Sequence, residues 1–212
     1  MQVLSVNISK PTTILINGKE ELTGYFKTQV ENPIFLGKTD VKNDTVVDRI
    51  HHGGEDKACY LYGYNHYPFW KTKYPTLHFN FGMFGENITL ETLDETQIYI
   101  GDTFQLGDAV IQVSQPRQPC YKMGIKFNDT KIINLFRSLT YSGIYVRVLQ
   151  EGLVKNSDTL HLIEHYKKSL SVAEIFKLIY SNNPGQFELE NALSSPFLPM
   201  RLKEYLTNKF KQ

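Results

Sequence analysis

The hydrophobic pattern of this 212-residue chain changes period once, near His165, and that change constrains its fold more than any other feature. Before it, β-branched and aromatic residues gather in short runs at 3–8, 12–16, 25–30, 87–90, 110–115, 144–149 and 159–163. Asn17-Gly18, Gly101-Asp102 and Gly107-Asp108 are pairs that tolerate positive φ and close tight connections. Recurrent strands at this spacing predict an antiparallel or mixed barrel. Two helices interrupt it. One starts near Asn65 and carries His66, Tyr67, Phe69 and Trp70, with Pro68 acceptable in its first turn, and the other runs over about 129–138.

After His165 the spacing becomes helical. Ser171 with Glu174 forms a capping-box signature, and Val172, Ile175, Phe176 and Ile179 follow on one face. Asn182-Asn183-Pro184-Gly185 stops that helix, 186–193 makes a second, and Pro196 or Pro199 opens a third with Leu202, Tyr205, Leu206 and Phe210 aligned. The chain therefore reads as mainly β within the α+β class: a barrel domain over 1–165 with a few peripheral helices, then a three-helix domain over 166–212. Its length suits one large domain or one domain with a small appendage.

Composition excludes several functions. With 41% hydrophobic, 13% aromatic and 21% charged residues, the chain can bury a sizeable core and is not disordered. Lys+Arg 23 against Asp+Glu 22 leaves a net charge of +1, so a dedicated nucleic-acid binder is disfavoured. Residues 1–10 alternate like a strand and lack the regions of a signal peptide, and no run approaches the roughly 18–20 apolar residues that span a bilayer. A soluble, cytoplasmic protein is expected, without membrane association and as monomer or homodimer. Two cysteines, Cys59 and Cys120, are too few for a disulfide scaffold or a thiolate zinc site.

The segment Gln115-Pro116-Arg117-Gln118-Pro119-Cys120 is the most unusual local sequence. Two prolines stiffen it, and Arg117 or Lys122 would favour the thiolate that attacks electrophiles or binds metal. A buried inert thiol is the plain alternative. Three functional readings stay open for Cys120. It is a nucleophile with a histidine base, a disulfide partner of Cys59, or a soft ligand to a metal cofactor that brings the rest of its own coordination.

A second constellation, His51-His52-Gly53-Gly54-Glu55-Asp56-Lys57, could cradle an anion with His52 and Lys57 as donors, or be an ordinary turn. It lacks P-loop spacing, and adjacent histidines point to opposite faces of an extended chain, which weighs against a zinc pair. In the third, Gly82-Met83-Phe84-Gly85-Glu86-Asn87, Asn87 could bond a heterocycle, and Glu86 is either an acid/base or a turn-capping carboxylate. The aromatic cluster Tyr60, Tyr62, Tyr64, Tyr67, Phe69, Trp70 and Tyr74 could stack bases, but such clusters more often pack a core.

Four motifs in order carry a resemblance over nearly the whole chain: 52–58, 82–87, 115–120 and Tyr141-Ser142-Gly143-Ile144-Tyr145-Val146-Arg147-Val148. Together they resemble the MOSC (molybdenum cofactor sulfurase C-terminal) domain family, closest to its YiiM-type members with a C-terminal three-helix domain. The resemblance implies a MOSC β-barrel that holds molybdopterin, the molybdenum cofactor, with Cys120 as molybdenum ligand and Arg117 beside the cofactor. It implies reduction of N-hydroxylated compounds such as N-hydroxylaminopurine-type bases. His52, Gly53, Lys57, Asn87, Lys122 and Arg147 are the expected contacts to the pterin and its phosphate. The chain departs from the family's frequent Gly-Asp before His-Gly-Gly, having Lys42-Asn43-Asp44. No flavin, haem or iron–sulfur motif is present, so electrons are expected from a separate flavin or iron–sulfur reductase. The rival reading is a carrier that holds a persulfide, or the cofactor itself, on the same Cys120.

Overall fold

The computed structural model describes residues 1–16, 18–47 and 53–210. Its strands are β1 (Val3–Ile8), β2 (Thr12–Ile16), β3 (Lys19–Thr23), β4 (Thr28–Val30), β5 (Ile34–Leu36), β6 (Cys59–Gly63), β7 (Ile88–Leu90), β8 (Thr103–Leu106), β9 (Ala109–Pro116), β10 (Ile144–Gln150), β11 (Gly152–Val154) and β12 (Leu160–Glu164). The helices are α1 (Tyr67–Lys73), α2 (Tyr121–Phe127), α3 (Ile132–Arg137), α4 (Val172–Tyr180), α5 (Gln186–Ser194) and α6 (Met200–Phe210). The class is α+β, as the period change predicts.

Eight strands form one sheet in the order β12-β8-β9-β10-β6-β7-β1-β4. Its pairs are antiparallel except β6 with β7, where Leu61 stands opposite Ile88 in parallel. The sheet curls far enough to bring the start of β1 to the start of β12. Gln2 bridges Thr159, the Val3 N–H donates to Asp158 O (2.8 Å), and the Leu160 N–H donates to Met1 O (2.8 Å). This short seam ties β1 to the start of β12, while β4 and β12 remain the exposed outer strands of the sheet.

Two cores result. An aliphatic one fills the barrel with Leu36, Leu61, Ile88, Ile111 and Val146, and continues without a break into Val172, Ile179, Leu202 and Leu206 of the C-terminal helices. Each such side chain contributes about 1.5–3 kcal/mol by leaving water. The capping box opens α4: Ser171 Oγ accepts from the Glu174 N–H (3.2 Å), and the Glu174 carboxylate accepts from the Ser171 N–H (2.7 Å). The other core is aromatic and lies outside the barrel. Trp70 donates Nε1–H to Tyr62 Oη (2.8 Å), Tyr62 stacks on Phe84 at 4.4 Å, and Trp70, Tyr62 and Tyr67 are fully buried. The tyrosine-rich cluster is thus mainly packing surface, with Tyr64, Phe69 and Tyr74 half-buried at its edge.

Three differences from the sequence pattern have physical causes. The strand expected at 25–30 shrinks to β4, because Tyr25 turns inward and its carbonyl accepts from the Lys27 N–H (3.0 Å). Central β6 is buried at every position, so it shows no alternation to read. Helix α2 starts directly after Cys120, ahead of the single helix expected over 129–138, which appears as α3. Among the described residues no helix is long and apolar enough to cross a membrane.

Candidate functional site

A cleft of about 650 Å³, part of it open to solvent, lies where the ends of β6 and β9 meet the loops that carry Tyr25, Asp44 and Gly85. Of the residues expected from sequence, Cys120, Arg117, Gly53, Lys57, Asn87 and Lys122 all line it. His52 lies outside the described residues. Arg147 is placed elsewhere: its Nε donates to Asp56 Oδ1 (2.6 Å) and its Nη1 to Phe197 O (2.8 Å), tying the turn Glu55–Lys57 to the C-terminal segment.

Cys120 is the N-cap of α2, in extended conformation, with a partly exposed side chain that makes no capping bond. Cys59 sits in β6 with its thiol fully buried, and burial pushes that thiol's pKa up, which makes it inert. Both are free, so the disulfide reading falls away.

Arg117 is only 2% exposed. Its guanidinium lies 5.3 Å from the Tyr60 ring centroid, 5.5 Å from Tyr25 and 5.7 Å from Phe136. No described carboxylate pairs with it, and Nη1 is buried without a hydrogen-bond partner. Burial opposes the charge, while the phenols of Tyr25 and Tyr60 and the Cys120 thiol outweigh it, so its pKa is raised. A buried charge with no counter-ion is costly and marks a place prepared for an anion. Tyr25 Oη is the only other buried side-chain polar atom without a partner among the described residues.

Asn87 lines the cleft, but its Nδ2 donates to Asp44 Oδ2 (2.9 Å) and Asn7 O (3.3 Å), and its Oδ1 accepts from the Tyr60 N–H (3.3 Å). Asp44 also accepts from the Ser9 N–H (2.8 Å) and pairs with Lys27. Asn87 therefore holds the cleft wall together. Lys57 Nζ stands 5.9 Å over Tyr145, and Lys122 Nζ pairs with Glu21 Oε1 at 3.0 Å on the β2–β3 hairpin. Gly53, at φ 75°, packs so closely that a Cβ would meet Val46 Cγ1 at 3.1 Å, while the Gly54 N–H is spent on Thr39 O (2.9 Å). Among the described lining residues four cations, Lys27, Lys57, Arg117 and Lys122, face one carboxylate, Asp44. The cleft is an electropositive seat beside a soft sulfur.

Glu86 is a turn-capping carboxylate. Fully buried, it accepts from Gly82 N–H (2.9 Å), Phe84 N–H (2.9 Å), Tyr67 Oη (2.5 Å) and Thr89 Oγ1 (2.9 Å). Sequence reasoning missed Tyr25 and Lys27, on the loop between β3 and β4, and Asp44, on a second loop, none of which carries a local motif.

Lys126 of α2 lies behind the cleft, donating to Gly82 O (2.9 Å) with its amine 5.5 Å over the Tyr25 ring. Burial lowers its pKa to about 8, helped by Lys27 and Arg117 and opposed by Glu86. The unfolded chain then binds more protons between about pH 8 and the ordinary 10.5, so this group's contribution to stability rises with pH there. Wild type should gain on Lys126→Met between about pH 7 and about pH 9 in urea midpoints; a constant difference would refute the buried amine.

A MOSC domain model matches residues 48–161. YflK of Bacillus subtilis (strain 168) is 37% identical over 196 residues, 92% of this chain and 88% of that protein. A protein named Reductase from Gibberella moniliformis is 30% identical over 78% of this chain, which spans 30% of that protein's length. The crystal structure of YiiM from Geobacillus stearothermophilus superposes with a TM-score of 0.83 at 34% identity, covering 98% of both chains. These matches show that the chain belongs to the MOSC domain family. Within it, the chain is of the YiiM type.

Proposed function

We propose that this protein is a molybdenum-cofactor-dependent reductase of N-hydroxylated compounds, such as N-hydroxylaminopurine-type bases, with Cys120 as the ligand to molybdenum. The carrying observation is the Cys120 sulfur at a cleft whose Arg117 is a buried cation with no counter-ion among the described residues. The donor set fits the group: one soft sulfur, two unpartnered buried donors and a cationic lining suit a metal held on an anionic pterin. The family match and the reductase-named relative support the reading.

When bound, the cofactor supplies the two-electron couple that breaks an N–O bond and leaves an amine and water once two protons arrive. The chain does the rest. Cys120 binds, Arg117 balances negative charge in a dry setting, Lys57 attracts the phosphate, and Lys122, buried and paired with Glu21, adds to the positive lining. Gly53 lets the backbone approach closely, and Tyr60 and Tyr145 exclude water from the floor. Electrons come from a separate flavin or iron–sulfur reductase.

The test is made on protein from a host that produces the cofactor. Near-stoichiometric molybdenum, pterin fluorescence after oxidation and turnover of an N-hydroxylated base with an artificial electron donor are expected. Sulfane sulfur on Cys120, with no turnover in molybdenum-loaded protein, would establish the sulfur carrier instead.

A further inference from the structure

We propose that the Tyr25 hydroxyl and the Arg117 guanidinium form an oxyanion seat in the floor of the cleft, built to hold oxygen atoms of a small dianion or of the oxo or phosphate end of a larger ligand. Tyr25 lies outside the family-matched residues 48–161, so this half of the seat comes from the preceding segment. The proposal deepens the reductase reading by naming what the floor recognises, and its test requires no turnover.

Three observations carry it. Tyr25 Oη and Arg117 Nη1 are the two buried side-chain polar atoms that lack a partner among the described residues, and both belong to residues lining one cleft. Leaving two such donors unpaired costs stability that a merely structural site would recover by pairing them. Their positions are also fixed. The Tyr25 N–H donates to Thr23 Oγ1 (3.0 Å), and its ring packs on Gly85, whose φ of +80° and absent Cβ leave room where a Cβ would sit 3.1 Å from Cε2. Arg117 is caged between the rings of Tyr25, Tyr60 and Phe136.

The chemistry selects oxygen acceptors. Arg117 contributes a permanent charge in a fork that matches oxyanions. Burial pushes the Tyr25 phenol up, with Arg117 partly opposing, so the hydroxyl keeps its proton and donates. Both groups stand ready before any ligand arrives, which spares the cost of ordering them.

The experiment uses cofactor-free protein and calorimetric titration with molybdate, tungstate, sulfate and phosphate in parallel, on wild type and Tyr25→Phe, with melting curves to show that the variant folds. One oxyanion per chain is expected, with affinity weakened about tenfold or more in Tyr25→Phe. Preference for molybdate and tungstate assigns the seat to the oxo-metal end, and preference for phosphate and sulfate assigns it to the phosphate end; either supports an oxyanion floor. Absence of saturable binding to wild type, or equal affinity in a folded Tyr25→Phe, overturns it. Failure of the reductase reading would show instead as molybdenum-loaded protein without N–O reduction.

Discussion

Cys120→Ser is expected to lose molybdenum and N–O reduction by at least about a hundredfold, because removal of the ligand itself should exceed the 10–100-fold that outer-shell partners cost. Serine exchanges a soft sulfur for a hard, protonated oxygen at the one partly exposed thiol of the cleft. The fold should not suffer. Cys120 occupies the N-cap of α2 without making a capping bond, and serine is a preferred N-cap that can add up to about 1 kcal/mol. The melting temperature should stay level or rise while activity vanishes. Cys59→Ser should behave in the opposite way, losing about 1–3 kcal/mol by placing a hydroxyl in the closed core of β6 and leaving the metal alone. Metal content, turnover and melting curves of the two variants check both halves. A Cys120→Ser protein that retains metal and full turnover would move the ligand role elsewhere.

The difference between the two thiols shows what can be read before folding. Cys120 stood out because prolines and an arginine surround it in sequence, and Ser171 with Glu174 announced α4 because a capping box spans only four residues. Both are local signals. Tyr25 and Asp44 carry none: their meaning comes from Arg117, Lys27 and Asn87, which lie up to 92 positions away and meet them only in the folded chain. Arg147 illustrates the converse. Its motif position suggested a cofactor contact, yet Asp56 and the Phe197 carbonyl claim it, a pairing visible only once the C-terminal helices dock. Strand β6 escaped notice because a strand buried on both faces has no alternation, and its parallel partner β7 is only three residues long.

Glu86→Ala is expected to destabilise the protein by roughly 3–5 kcal/mol, because removing a fully buried carboxylate strands the groups that point at it. Two of those donors are backbone amides, at Gly82 and Phe84, which cannot turn away, and the others are the Tyr67 and Thr89 hydroxyls. Losing this hub frees the turn that presents Gly85 to the Tyr25 ring, so the cleft floor should loosen together with the fold. Glu86→Gln separates structure from chemistry. The amide keeps one acceptor oxygen, and it should recover part of the stability and, in the protein that remains folded, most of the turnover. A general acid/base at this position would give the reverse pattern, a stable Gln variant without activity. Urea midpoints measured beside turnover per folded molecule decide between the two, and the four bonds that tie Glu86 to its own turn and to Tyr67 and Thr89 favour the structural outcome.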